Sequence, residues 1–332
     1  MKRMAPDGES GPERRRFMTV NPRKAAIIGC GHVGSSIAFR FLQQGLFSQL
    51  ILLDANREKA EGEAMDLSDG LPYGAAMEIT SGTYDDVTDC ALIVITAGAN
   101  QKPGETRLDL IGKNTAILRG ILAQITARDF GGILLIVSNP VDVLTYVAWK
   151  LSGYPRQRVI GSGTVLDTGR LKQLMGEELW VDSRNIHAFI IGEHGDSELA
   201  VWSGANVSGV DLEHFCRLRG KDLHQNQMDR LYREVRDSAY QIIQRKGATY
   251  YGIAMAVGRI AQAIVKDEHA VLPISVVLEG QYGLKDLALS IPSIVGRNGL
   301  EEILEIPLSR DESWALSASA QQLKEALASQ GM

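Results

Sequence analysis

Cysteine is scarce in this chain: Cys30, Cys90 and Cys216 are three in number and widely spaced over 332 residues. An odd, dispersed set excludes a disulfide framework and suits no zinc site, so all three are expected as buried or incidental thiols. Long apolar runs are missing too. No stretch reaches the roughly eighteen residues of a membrane-crossing helix, and Arg14, Arg15 and Arg16 lead into no apolar segment of a secretory signal. Positive charge is also in deficit, with 35 lysines and arginines against 40 aspartates and glutamates and a formal net charge of −5. A general polyanion surface is thereby disfavoured, and neither nucleic acid nor membrane is expected as a partner. A cytoplasmic location follows as the expectation.

What is present has the composition of an ordinary globular protein, 45% hydrophobic and 23% charged, in a chain longer than one average domain. Two packed domains are predicted. Residues 1–22, rich in Gly, Pro, Glu and Arg without hydrophobic periodicity, read as a disordered N-terminal extension. Met18, close before the first apolar run, is an alternative start to Met1. No internal repeat is evident.

From Lys24 onward, apolar runs at 25–28, 50–53, 91–95 and 133–137 alternate with segments of helical spacing, such as Val33-Ile37-Phe41 and Leu110-Thr115-Leu118-Leu122. Runs apolar at every position suit strands covered on both faces, and the alternation predicts a doubly wound parallel sheet. Ligands then gather at the carboxyl ends of the strands. The first run leads into Gly29-Cys30-Gly31-His32-Val33-Gly34, where glycines permit a tight turn, close approach of backbone to a pyrophosphate, and packing of helix on strand. Asp54, at the end of the second run, is placed to accept hydrogen bonds from a ribose and to repel a 2′-phosphate, which favours NAD over NADP. The fold class is therefore α/β: a Rossmann sheet over residues 23–161, followed by an α+β substrate and catalytic domain over 162–330.

Two further segments point to hydride transfer. A carbonyl that receives hydride needs a proton donor beside its oxygen, and His194 in Gly192-Glu193-His194-Gly195-Asp196 is the candidate. The polar, glycine-containing segment from Thr96 to Arg107 reads as a lid that would exclude water and carry Arg107 onto the substrate oxygen.

The segments GCGHVG, LLDAN, TAGANQKPGETRLDL, VSNPVDVLT, GSGTVLDTGR, GEHGDSE and KGATYYGIAM together resemble the bacterial L-lactate dehydrogenases of the lactate/malate dehydrogenase superfamily. The resemblance runs from about Lys24 past Pro292. It implies that His194 is the acid/base group, that Asp167 orients its imidazole, that Arg170 clamps the substrate carboxylate and that Arg107 polarises the carbonyl. Asn139 would orient substrate and nicotinamide, while Val33, Lys59, Tyr84, Gly98 and Ala99 join Gly29, Gly31, Gly34 and Asp54 around the cofactor.

Gln101 occupies the position where malate-specific relatives carry an arginine, so a monocarboxylate such as pyruvate or lactate is the implied substrate, with Thr249 walling its methyl group. Longer 2-oxo acids of the hydroxyisocaproate type, then malate, are the alternatives; an NAD-binding sensor without turnover is the rival from another class. The resemblance also implies a homotetramer and an effector site for fructose 1,6-bisphosphate at Lys172 and His187. Lys172 stands where relatives carry arginine, which loses bidentate phosphate geometry.

Overall fold

The computed structural model describes residues 20–99, 107–220 and 224–331. The extension expected over 1–22 falls largely outside the described residues, but strand β1 (Asn21–Ile28) reaches back into it. The reason is a ladder contact beyond the apolar run: the Asn21 N–H donates to Asp89 O at 2.7 Å, and Asn21 pairs opposite Cys90 across an irregularity that spans Pro22. Proline has no N–H to give a ladder and is tolerated at such a strand start.

The remaining strands of the first half are β2 (Gln49–Leu53), β3 (Glu78–Ser81), β4 (Cys90–Ile95), β5 (Ile133–Ile136) and β6 (Val159–Gly161). Their helices are α1 (His32–Gln44), α2 (Arg57–Asp69), α3 (Arg107–Thr126) and α4 (Val141–Ser152). All six strands are parallel in the order 3-2-1-4-5-6, so the order reverses between β1 and β4 and opens a crevice at their carboxyl ends. The four apolar runs read from the sequence are β1, β2, β4 and β5. The spacing Val33-Ile37-Phe41 lies on α1, which buries Ile37 and Phe41 and ends at Gly45 in the left-handed region.

The second half opens with α5 (Val165–Leu179) and short strands β7 (Ile186–His187), β8 (Ile190–Ile191), β9 (Leu199–Ala200), β10 (Asn206–Val207) and β11 (Val210–Asp211). Helices α6 (Leu212–Leu218), α7 (Gln225–Lys246) and α8 (Tyr251–Lys266) follow, then the antiparallel strands β12 (Ala270–Glu279), β13 (Lys285–Gly296) and β14 (Gly299–Ile303), and α9 (Arg310–Ala328). The last three strands do not form a sheet of their own. β12 lies antiparallel to β6 with Ser275 opposite Gly161, so one nine-stranded sheet runs through both halves. A continuous apolar cluster accompanies it from Ala25 to Leu327, and a smaller cluster around Leu171, Met175, Ile186, Leu231 and Val235 lies beneath α5 and α7. Burial on this scale fixes β6, α4 and β12 relative to one another, and these are the elements on which the site is built.

The turn after β1 is packed backbone against backbone. Gly29 has φ +106°, and a Cβ there would lie 2.5 Å from Ala97 N; a Cβ on Gly34 would lie 1.9 Å from Gly29 O. Gly34→Ala gains helix propensity of about 1 kcal/mol but meets a carbonyl that cannot yield. Its net effect is expected to be destabilising by about 1–3 kcal/mol, whereas Gly31→Ala should leave the urea midpoint in place. Equal midpoints for the two variants would refute this packing.

Candidate active site

The crevice at the β1/β4 switch point is prepared for an anion. Helix α1 starts at His32 with Gly31 before it, and neither a side-chain cap nor an acidic residue occupies its first turn. Its N-terminal amides and the positive end of the helix dipole therefore meet no acidic side chain from the helix's own first turn. A Cβ built on Gly31 would meet nothing within 4 Å, in contrast to its two neighbours in the motif. That open space over a helix N-terminus fits a pyrophosphate. Asp54, just past β2, accepts the Cys30 N–H at 2.7 Å and the Asn56 N–H at 2.9 Å, which holds its carboxylate beside the glycine turn. Two accepted bonds leave acceptor capacity for ribose hydroxyls. The Cys30 thiol is pushed up to about 12 by burial and then by Asp54, so it is unreactive at neutral pH.

Of the other expected cofactor residues, Val33 is half-buried on α1, Lys59 is exposed on the first turn of α2, and Gly98 and Ala99 follow β4. Asn114 of α3 joins two of these regions. It accepts the Ala99 N–H at 2.7 Å and donates to Asn139 O at 2.7 Å, drawing the segment after β4 toward the segment after β5. The Asn139–Pro140 peptide bond is cis. Tyr84 lies in the β3–β4 connection with the Arg128 guanidinium 5.9 Å from its ring centroid.

The acid/base candidates converge from distant parts of the chain. Asp167 and Arg170 lie one turn apart on α5, and His194 sits in the loop between β8 and β9. Asp167 Oδ2 is 2.6 Å from His194 Nδ1, and Arg170 Nη1 donates to Asp167 Oδ1 at 2.8 Å. The Asp167 side chain is 3% exposed and that of His194 23%, so the carboxylate is sealed while the imidazole stays accessible. With Nδ1 committed to the carboxylate, Nε2 is the nitrogen available to a substrate.

Burial alone would strip the proton from His194, but the Asp167 charge and hydrogen bond outweigh it and push the imidazole up to about 9. Burial likewise opposes an ionised Asp167, yet His194 and then Arg170 hold its carboxyl below the usual range. At neutral pH the pair is imidazolium and carboxylate.

Asp142 on α4 completes the mount and is not evident from sequence motifs alone. Its Oδ2 accepts the backbone N–H of His194 at 2.7 Å, while its Oδ1 accepts the hydroxyls of Ser275 at 2.6 Å on β12 and Ser290 at 3.1 Å on β13. The carboxyl is buried, which raises its proton affinity despite these three donors. An acid inside the apolar run Val141-Asp142-Val143-Leu144 was the available signal, because a charge on a buried helix face needs partners.

Arg170 also forms part of the wall of a cavity of about 950 Å³ between α5, α7 and α8, which neither His194 nor Asp167 lines. The guanidinium thus stands at the boundary between the catalytic pair and that cavity. Thr249 lies in the turn between α7 and α8, Lys172 on α5, and His187 exposed on β7. Among the described residues, no hydrogen bond or ion pair joins these three to the catalytic pair. Gln101 and residues 100–106 of the expected lid fall outside the described residues, as does the side chain of Arg107, the first residue of α3.

Residues 23–161 match the family model of the lactate/malate dehydrogenase NAD binding domain, and residues 164–330 that of the lactate/malate dehydrogenase alpha/beta C-terminal domain. The chain is 49% identical over 304 residues to L-lactate dehydrogenase 1 of Clostridium acetobutylicum, covering 92% of this chain and 97% of that one. It is 50% identical over 307 residues to L-lactate dehydrogenase of Priestia megaterium, covering 92% and 96%. Among solved structures it superposes on minor L-lactate dehydrogenase from Enterococcus mundtii in its ligands-bound form with a TM-score of 0.90 at 45% identity, covering 92% of this chain and 98% of that one.

The position of Asp54 gives a cofactor test. Asp54→Ser removes the charge that would repel a 2′-phosphate, so the ratio of NADH to NADPH affinity, measured by fluorescence titration, should fall by about tenfold or more. An unchanged ratio would contradict the placement of the ribose.

Proposed function

Because the chain belongs to the lactate/malate dehydrogenase family, we propose that it is an L-lactate dehydrogenase catalysing the reversible, NAD-dependent interconversion of pyruvate and (S)-lactate. The observation that carries the chemistry is the 2.6 Å contact between buried Asp167 and accessible His194, with Arg170 on the other carboxylate oxygen. When bound, NADH supplies a hydride to the keto carbon. The residues of this chain handle the charge that results.

Protonated His194 donates from Nε2 to the substrate oxygen as negative charge develops there, and Asp167 steadies the imidazole through the transfer. In lactate oxidation the same nitrogen, neutral, takes the hydroxyl proton. Arg170 uses one of its five N–H groups on Asp167 and keeps others for a bidentate grip on the substrate carboxylate. Arg107 polarises the carbonyl from the lid, a contribution of order hundredfold in rate for groups of this kind. Asn139 orients the substrate and the nicotinamide carboxamide, and Thr249 bounds the methyl group.

An uncharged Gln101 favours a monocarboxylate, since a second carboxylate enclosed without a partner costs several kcal/mol. Discrimination against longer 2-oxo acids rests on methylene contacts worth about 1–3 kcal/mol, so some breadth toward them is expected. A sensor without turnover would have no need of Asp167, Arg170, His194 and Arg107 together.

The reading extends to a Rossmann domain over 23–161 and a catalytic domain over 162–330, a cytoplasmic location and a homotetramer. No helix among the described residues is long and apolar enough to cross a membrane. Exposed Phe39 on α1 and Met255 on α8, two helices that pack together, support association. Activation by fructose 1,6-bisphosphate through Lys172 and His187 is expected to be weak, because burial lowers the proton affinity of Lys172 and its ammonium lacks the bidentate fork.

The pH dependence follows from the sign of the His194 shift. Reduction needs the protonated imidazole, so pyruvate turnover should hold through neutral pH and fall as pH rises through about 9, while lactate oxidation should climb over the same interval. In the same assay, kcat/KM for pyruvate should exceed that for oxaloacetate by about tenfold or more. Parallel pH limbs, or a preference for oxaloacetate, would contradict the assignment.

A further inference from the structure

Glu198 is a buried acid that the reaction as described does not use. Its residue is 4% exposed, and among the described residues its Oε1 is enclosed with no hydrogen-bond partner. A carboxylate oxygen, an Asp167 oxygen and a His194 ring nitrogen all lie within 4.8 Å of one another. A carboxyl with one enclosed, unpartnered oxygen so close to the acid/base pair is costly to bury. We propose that Glu198 is a positioning residue for the acid/base pair, and that the charge state of its carboxyl sets both the proton affinity of His194 and the affinity of the site for a substrate carboxylate. The inference rests on the lactate dehydrogenase reading for its substrate arm only.

The charged groups around Glu198 define the coupling. Asp167 and Arg170 face it from α5 and His194 from the β8–β9 loop, while α7 contributes Arg236 and Tyr232, whose hydroxyl donates to the Glu198 backbone carbonyl. Asp142, from α4, acts on His194 from its backbone side. Burial and then the Asp167 charge push Glu198 up to about 8, so it is mostly protonated at neutral pH.

With Glu198 neutral, Asp167, Arg170 and His194 leave one net positive charge, which a monocarboxylate neutralises. Ionised Glu198 cancels that charge: the imidazolium is held more firmly, and the substrate anion is bound less well. Affinity for pyruvate is therefore lost at a lower pH than the catalytic proton.

The test combines pH-resolved kinetics of wild type, E198Q and E198D with NMR titration of His194 in nitrogen-15-labelled protein without substrate. In wild type the pyruvate KM should rise about tenfold between pH values of about 7 and 9, ahead of the fall in kcat. In E198Q the His194 midpoint should drop by about half a unit to one unit, and the KM should rise together with the fall in kcat instead of ahead of it. E198D should restore the wild-type split, and E198A replaces E198Q if the latter does not fold. Coincident KM profiles with an unmoved His194 midpoint overturn the proposal. A wild-type protein inert toward pyruvate, in which E198Q still moves the His194 midpoint, sinks the functional reading and supports the electrostatic coupling.

Discussion

The Asp167 carboxylate, almost sealed from solvent and shared between Arg170 and His194, is the constraint on which the rest of the site depends. Each of its oxygens is committed to a cation, and each cation is thereby aimed. An isolated carboxylate at this depth would be forced to take up a proton. Two positive partners keep it ionised, and in return it gives His194 the proton affinity that reduction of a ketone requires.

That arrangement is only as rigid as its supports. Asp167 and Arg170 come from α5, which begins four residues after β6; His194 hangs from the β8–β9 loop and is tied by its backbone to Asp142 on α4; Asp142 in turn takes hydroxyls from β12 and β13. The pairing of β12 with β6 makes all of these parts of one sheet-centred body. A parallel sheet and its antiparallel extension thus fix the crevice at the β1/β4 switch point and the Asp167–His194 pair by a single packing solution. The glycine turn after β1, packed backbone on backbone against the segment after β4, sets the nucleotide end of the same body.

Much of this was legible in the sequence because it is local. Four apolar runs became parallel strands, the glycine motif became a turn opening a helix, and Asp167 and Arg170, three residues apart, share a helix as that spacing implies. The positions of Asn114, Asp142 and Glu198 were not legible, since their roles depend on contacts with other elements, across as many as 148 residues of chain. Nor does periodicity reveal that β12 to β14 continue the first sheet, because an antiparallel meander reads the same whether it stands alone or joins an existing edge. The early start of β1 is a similar case: Asn21 is recruited by Asp89, not by its own hydrophobicity.

The central claim is that Asp167 controls the His194 proton, and the most direct test is the His194 titration, followed by NMR, in wild type and in Asp167→Asn. The wild-type midpoint should lie near 9. Loss of the Asp167 charge and hydrogen bond leaves only the weaker Glu198 and Asp142 charges to oppose burial, so the variant's midpoint should fall toward the ordinary histidine value of about 6.5. A midpoint that stays near 9 in the asparagine variant would contradict the account.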